Sequence, residues 1–301
     1  MTAFSTPLRI GTRGSQLARA QTQWVVAQLQ TAHPELRVEI QIIQTTGDLR
    51  RDIPFNQVGT KGMFVKEIEQ ALLDNEIDVG VHSLKDMPSE LPQGLTLSCF
   101  PVREDPRDAF ISRENVPLEN LPDGSIVGTS STRRHTQLGV ARPEWVITEL
   151  RGNLDTRLRK LDTGEYDAII LACAGLSRLG LSHRITAPID PVMCVPAAGQ
   201  GALALETRKN DSEIAALLSA LNHLDTQDCV AAERAFLREL GGGCSVPAGA
   251  YAKLDGDSMT LMGVLATDGG INLHRHIVYG HRSLAEYLGA ELAKTLQGKF
   301  S

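Results

Sequence analysis

Two stretches of this chain start the same way. IGTRGSQLARAQ occupies residues 10–21 and VGTSSTRRHTQL residues 127–138. Each has an apolar run ending in Gly-Thr, then a serine and a helical pattern. A strand that hands directly to a helix is a βα unit, and a chain using the unit twice predicts two α/β domains of like construction. Around the first copy, residues 8–12 read as a short strand. A helix follows from about Ser15, its N-cap, with Leu17, Ala20, Trp24 and Ala27 on one face. Residues 38–44 alternate as a strand with Ile40 and Ile42 inward. Residues 63–73 are helical in pattern and 77–81 read as a buried strand. Around the second copy, 125–129 and 166–171 are strands.

The final segment has a different rhythm. Cys229, Ala232, Phe236 and Leu240 form one stripe of a helix over 226–240. Strands at 248–254, 259–266 and 271–279 then follow, joined at Asp255-Gly256-Asp257 and Asp268-Gly269-Gly270. A helix over 284–296 closes the chain. This predicts a small α+β domain with an antiparallel sheet. With 301 residues, the chain is longer than one hydrophobic core usually serves.

Charge narrows the function. The formal net charge is −6 and the pI about 5.8, against the basic surplus of a dedicated nucleic-acid binder. No run approaches the roughly 18 apolar residues of a membrane helix. The start, MTAFSTPLRIGTRGS, has neither a basic n-region nor an apolar h-region, so no signal peptide is expected. Five cysteines with no C-x-x-C pair argue against a disulfide framework or a zinc site, and a reducing cytoplasm is the expected compartment.

Within this acidic chain, arginines recur where strands give way to helices: Arg13, Arg133, Arg134, Arg151, Arg157 and Arg178. That edge of an open α/β sheet is where ligands bind, helix N-termini favour anions there, and a guanidinium can grip a carboxylate or phosphate bidentately. A polyanionic ligand is expected. A second motif, VHSLKDMP at 81–88, places Ser83, Lys85 and Asp86 at the end of a strand, a set able to bind an anion and move a proton. Read alone, Asp86 also suits a turn before Pro88, and His82 a structural hydrogen bond. Cys99, Cys173, Cys194 and Cys229 lie in apolar sequence and read as core. Cys244 instead follows Gly241-Gly242-Gly243, which leave room for a close approach. It suits a nucleophile or attachment point, or an incidental cysteine after a glycine cap. The polar stretch 48–61 has the length of a functional lid or of a disordered connection.

Taken together, TRGSQLA at 12–18, VHSLKDMP at 81–88, GTSSTRR at 128–134, RGNLDTR at 151–157, VPAAGQGALALE at 195–206 and GGGCSVPAGAYA at 241–252 resemble the hydroxymethylbilane synthase (porphobilinogen deaminase) family over nearly the whole chain. Thr132 and Ala248 depart from it, where an apolar and a larger aliphatic residue are usual; neither is a charged site position. The resemblance implies two domains like the lobes of periplasmic binding proteins, residues 1–101 with 200–220 and residues 106–196. It adds a small C-terminal α+β domain, 222–301, with a three-stranded antiparallel sheet. It implies a dipyrromethane cofactor joined as a thioether to Cys244, and porphobilinogen as the small-molecule substrate of a monomeric enzyme. Four porphobilinogens would condense head-to-tail on that primer and leave as hydroxymethylbilane. Asp86 would be catalytic. Arg13, Arg133, Arg134, Arg151, Arg157 and Arg178 would hold carboxylates, assisted by Ser15, Lys61, Ser83, Lys85, Thr129, Ser131 and Gln200. No metal, nucleic acid or membrane is expected to take part.

Two other classes compete. A non-enzymatic two-lobed anion binder explains the arginines but not a third domain that presents a cysteine after three glycines. A cysteine acyltransferase or hydrolase needs a histidine partner, and His274 and His276 lie in a strand-like run with nothing to distinguish them.

Overall fold

A computed structural model describes residues 6–46, 65–241, 247–267 and 272–299. The chain forms two compact units: Met1–Arg103 with Ala202–Asp228, and Glu104–Gly201 with Cys229–Ser301. The architecture is α/β with a C-terminal antiparallel sheet, as expected. Among the described residues no helix is long and apolar enough to cross a membrane.

In the first unit, strands β1 (Leu8–Arg13), β2 (Val38–Ile43), β3 (Val79–Ser83), β4 (Leu95–Cys99) and β10 (Leu203–Arg208) form one sheet, ordered β2-β1-β3-β10-β4. β1 runs parallel to β2 and β3. β10 is antiparallel to both neighbours, with Ala204 opposite His82. The chain therefore returns to its first sheet through the VPAAGQGALALE stretch. Leu8, Ile10, Val25, Leu29, Val79, Leu203 and Leu205 pack into one core, each fully buried side chain contributing roughly 1.5–3 kcal/mol.

Two local expectations are overturned here. In helix α1 (Gln16–Ala32) the buried positions are Ala18, Gln21, Thr22, Val25 and Leu29, while Trp24 is 41% exposed. The true face is turned by one residue because it includes polar Gln21 and Thr22, which an apolar count passes over. Ile40 and Ile42 point outward, 38% and 53% exposed, because β2 is an edge strand.

The second unit holds β5 (Asp108–Ser112), β6 (Ile126–Gly128), β7 (Val146–Thr148), β8 (Ala168–Ala172) and β9 (Ala187–Pro188), ordered β7-β6-β8-β5-β9. Three parallel strands are followed by an antiparallel fourth, the same arrangement as in the first sheet. The repeated Gly-Thr has a packing cause. A Cβ on Gly11 would collide with the Ile77 side chain, and one on Gly128 would sit 2.7 Å from the Tyr166 ring. The same unit carries β11 (Ala248–Asp255), β12 (Ser258–Thr267) and β13 (Asn272–His281), an antiparallel sheet. Cys229, Ala232 and Phe236 pack on it together with Leu288, Leu292 and Leu296 from the last helix, Ala285–Gln297. The expected stripe of the 226–240 helix is thus the buried one.

Candidate functional site

In the first unit, parallel β1 and β3 bring their carboxyl ends to one edge. Arg13 closes β1, half-buried. Ser15 caps α1, its hydroxyl accepting from the Ala18 N–H at 3.2 Å. Ser83 closes β3 and shares a hydrogen bond with the Gln21 side chain at 2.9 Å. The chain then makes a single 3-10 turn, Leu84–Asp86. Leu84 is buried and its N–H donates to the Ala202 carbonyl at 3.0 Å, and that anchor leaves Lys85 and Asp86 exposed to either side. The turn is stopped by Pro88, which cannot continue it. So the edge presents a guanidinium, an ammonium, a carboxylate and hydroxyls from the ends of two adjacent strands.

Behind it lies a buried acid–base group that the sequence reading missed. His82 faces inward with Nε2 3.0 Å from Glu206 Oε2. Glu69 from helix α2 (Lys66–Leu73) completes the group. Burial and the neighbouring Glu206 push Glu69 up to about 7, with His82 and Lys66 pulling the other way. The sign in the sequence was a glutamate inside the apolar run ALALE, too common a pattern to single out.

The second unit builds its edge from the repeat strand. Thr129 is buried, and its hydroxyl accepts from the Ser131 N–H at 3.2 Å. Ser131 caps helix α3 (Thr132–Ala141), accepting from the Arg134 N–H at 3.4 Å. Arg133 and Arg134 are both buried and turn to one carboxylate, Asp108, at 2.7 Å each. Gln200 Nε2 donates to the same carboxylate at 2.9 Å and to the Pro106 carbonyl at 2.7 Å. The two guanidiniums hold Asp108 far below the usual carboxylate range despite complete burial. Asp108 was not foreseen: an aspartate at the head of a strand reads as a turn residue, and its partners lie 25 and 26 positions away.

Arg157 and Arg178 differ from that pair. Arg157, on helix α4 (Leu154–Asp162), donates to the Gly152 carbonyl at 2.8 Å. Arg178, ending helix α5 (Cys173–Arg178), donates to the Gly201 carbonyl at 2.7 Å. Gly201 has φ +87, and a Cβ there would collide with the Glu104 carbonyl. Among the described residues neither arginine has a carboxylate within ion-pair distance. Burial draws both down to about 10. The like charge of Arg134 adds to the effect at Arg157, and Glu104 opposes it at Arg178. They remain charged at neutral pH, without a counter-ion. Such sites take up anions, and a guanidinium fork matches a carboxylate. Arg151 is more open and pairs with Glu149 at 2.6 Å.

Lys61, the 48–61 stretch and Cys244 lie outside the described residues. The four other cysteines are buried and form no disulfide among the described residues. Burial pushes Cys99, Cys173 and Cys194 up to about 12, which leaves them inert as nucleophiles. Among the described residues no cluster of three or more His, Cys, Asp or Glu is placed to hold a metal ion.

Comparison with known proteins gives two family matches. Residues 8–216 match the family described as porphobilinogen deaminase, dipyromethane cofactor binding domain. Residues 227–298 match that described as porphobilinogen deaminase, C-terminal domain. Solved structures similar to this chain include the periplasmic VFT2 domain of Bordetella pertussis BvgS, 16% identical, covering 71% of this chain and 86% of that one with a TM-score of 0.43. A YaeC-family lipoprotein from Enterococcus faecalis is 15% identical over 73% and 93%, TM-score 0.43. The second substrate binding domain of a putative amino acid ABC transporter from Streptococcus pneumoniae is 12% identical over 72% and 92%, TM-score 0.44.

Proposed function

The chain belongs to the porphobilinogen deaminase family, and from that premise we propose that it condenses four porphobilinogen molecules head-to-tail, with loss of ammonia, and releases hydroxymethylbilane. The observation that carries the reading is the pair of family matches in chain order, from Leu8 to beyond the last strand. The charge pattern agrees with it. Each substrate ring carries an acetate and a propionate, and among the described residues half-buried Arg157 and Arg178 have no carboxylate of their own. A carboxylate-bearing cofactor and substrate fit that deficit.

In this reading Cys244 holds a dipyrromethane as a thioether, the arginines with Ser15, Lys61, Ser83, Lys85, Thr129, Ser131 and Gln200 hold carboxylates, and Asp86 is catalytic. The dipyrromethane, when bound, supplies the nucleophilic pyrrole carbon on which the rings are joined. The remaining work falls to side chains. Departure of the substrate amine leaves positive charge on a pyrrole nitrogen. The Asp86 carboxylate, exposed at the tip of a short turn, steadies that charge and takes or returns a proton at Oδ. Lys85 beside it attracts the acetate or propionate. Cys244 takes this role by the family resemblance; three of the other thiols are held near 12, and the fourth, Cys229, is buried in the core. We also propose that the protein is a cytoplasmic monomer, and that residues 1–101 with 200–220, 106–196 and 222–301 act as three domains.

Intact mass spectrometry tests the reading. Purified protein should exceed its sequence mass by one dipyrromethane. Cys244→Ser should lack that increment and turn over no porphobilinogen. Unmodified, inactive wild-type protein from cells that make tetrapyrroles would refute the function. Added mass retained in Cys244→Ala would refute the attachment point.

A further inference from the structure

Asp108 appears in none of the motifs that mark the family resemblance, yet it is the most heavily bonded side chain of the second unit's edge. Its carboxylate is fully buried. It accepts from Arg133 Nη1 at 2.7 Å and Nη2 at 3.1 Å, from Arg134 Nε at 2.9 Å and Nη2 at 2.7 Å, and from Gln200 Nε2 at 2.9 Å. Its backbone is fixed as well: Asp108 stands opposite Ala172 in the sheet, and its carbonyl accepts from the Ile189 N–H at 2.8 Å.

We propose that Asp108 is a positioning residue of the carboxylate site, an internal anion that clamps Arg133 and Arg134 from behind so that their unused donors and surplus charge face a ligand. The inference rests on the reading above, that the ligand bears carboxylates. Donor arithmetic supports it. A guanidinium has five N–H groups. Arg133 commits three, both Nη1 hydrogens to Asp108, the Val195 carbonyl at 2.6 Å and, shared, Cys194 Sγ at 3.4 Å, and one Nη2 hydrogen to Asp108. Arg134 commits three, to Asp108 and to the Ile170 carbonyl at 3.1 Å. Two donors remain on each. Charge arithmetic supports it too. One carboxylate between two guanidiniums leaves a balance of plus one, and the field of Arg134 still reaches Arg157. Without an anion behind them, two adjacent buried guanidiniums would repel and splay. With Asp108 in place, their forks are set before any ligand arrives, which lowers the ordering that binding demands.

The test is Asp108→Asn, which keeps shape and an acceptor but removes the charge. In the folded variant the proportion of molecules carrying the cofactor mass should fall at least tenfold. In the loaded remainder, KM for porphobilinogen should rise at least tenfold with kcat changed much less. A merely structural role predicts a lower melting temperature with wild-type loading and KM, and that result would overturn the proposal. If the variant does not fold, Cys244→Ser protein decides, because on this reading it carries no cofactor. Side-chain nitrogen NMR should show Arg133 and Arg134 with hindered guanidinium rotation and slow Nε–H exchange at Arg134, unlike exposed Arg19. Free rotation at both would overturn the clamp. Failure of the functional reading is separate, since it appears as missing cofactor mass in the wild type.

Discussion

The surroundings of Glu69 favour its protonated form, and that has a direct effect on stability. Its pKa is about 7 in the folded protein against an ordinary value of 4.5. Between those values the folded state binds more protons than the unfolded one, so this group makes stability fall as pH rises from about 4.5 to 7. The full loss is on the order of 3 kcal/mol above pH 7. Glu69→Gln should therefore melt higher than wild type at pH 8 and show little difference at pH 4.5, measured by thermal unfolding at both. A gain that is equal at the two pH values would refute the assignment. Asp108 acts in the opposite direction. Its depressed pKa contributes stability above about pH 4 that is lost as its carboxylate is protonated in acid. Asp86, outside these buried groups, is a test of chemistry. Asp86→Asn should fold normally and lose nearly all turnover. Asp86→Glu keeps the charge but misplaces it by on the order of 1 Å, a loss of up to roughly a hundredfold. A folded Asn variant faster than the Glu variant would mean the residue only shapes the turn.

Among the elements, the helix and loop starts that carry arginine divide into two kinds, and substitution should separate them. Arg133 and Arg134 both bind a buried carboxylate; replacing either with Leu strips Asp108 of two charge-assisted hydrogen bonds, a loss of about 3–5 kcal/mol for breaking a buried pair. Arg157 and Arg178 have no such partner among the described residues, so Arg157→Leu and Arg178→Leu should melt no lower than wild type in the absence of ligand. They should still weaken substrate binding by about 1.5–3 kcal/mol. Differential scanning calorimetry with steady-state kinetics measures both effects, and a fall in melting temperature for Arg157→Leu comparable to that for Arg134→Leu would contradict the division. This distinction was not legible in the sequence, where all the arginines read as strand-to-helix positions, although Arg178 in fact ends its helix. Position is a local property and could be read, whereas pairing depends on Asp108, which only the sheet brings near. The same limit explains the helix faces. The Gly-Thr repeat and the Cys229, Ala232, Phe236 stripe were readable because apolar periodicity is local. Gln21 is buried because it meets Ser83 sixty-two positions away, and β2 is exposed because it is the edge strand of the sheet among the described residues. The buried trio of Glu69, His82 and Glu206 escaped for the same reason, since its members come from three separate elements.

At the scale of the whole molecule, the two α/β sheets share an order but are completed differently. The antiparallel fourth strand of the second sheet, β5, lies within the continuous stretch 104–201. That of the first, β10, comes only after the second sheet has been traversed. Residues 104–201 produced alone should therefore give a cooperative thermal transition, because the cores around Ile169 and Phe110 are complete within them. Residues 1–103 alone should not, because β3 and β4 lose the strand between them and the core loses Leu203 and Leu205. Circular dichroism of the two fragments would show it, and a cooperative melt from 1–103 would contradict the role given to β10. The returning strand also sets a timetable for the newborn chain. The N-terminal strands leave the ribosome first, yet roughly a hundred further residues must be made before β10 follows, about 5–20 s at ordinary rates of synthesis. For that interval the inner edge of β3 is unpaired backbone open to any other strand, so the part of the protein made earliest is the part that most needs a chaperone's shelter.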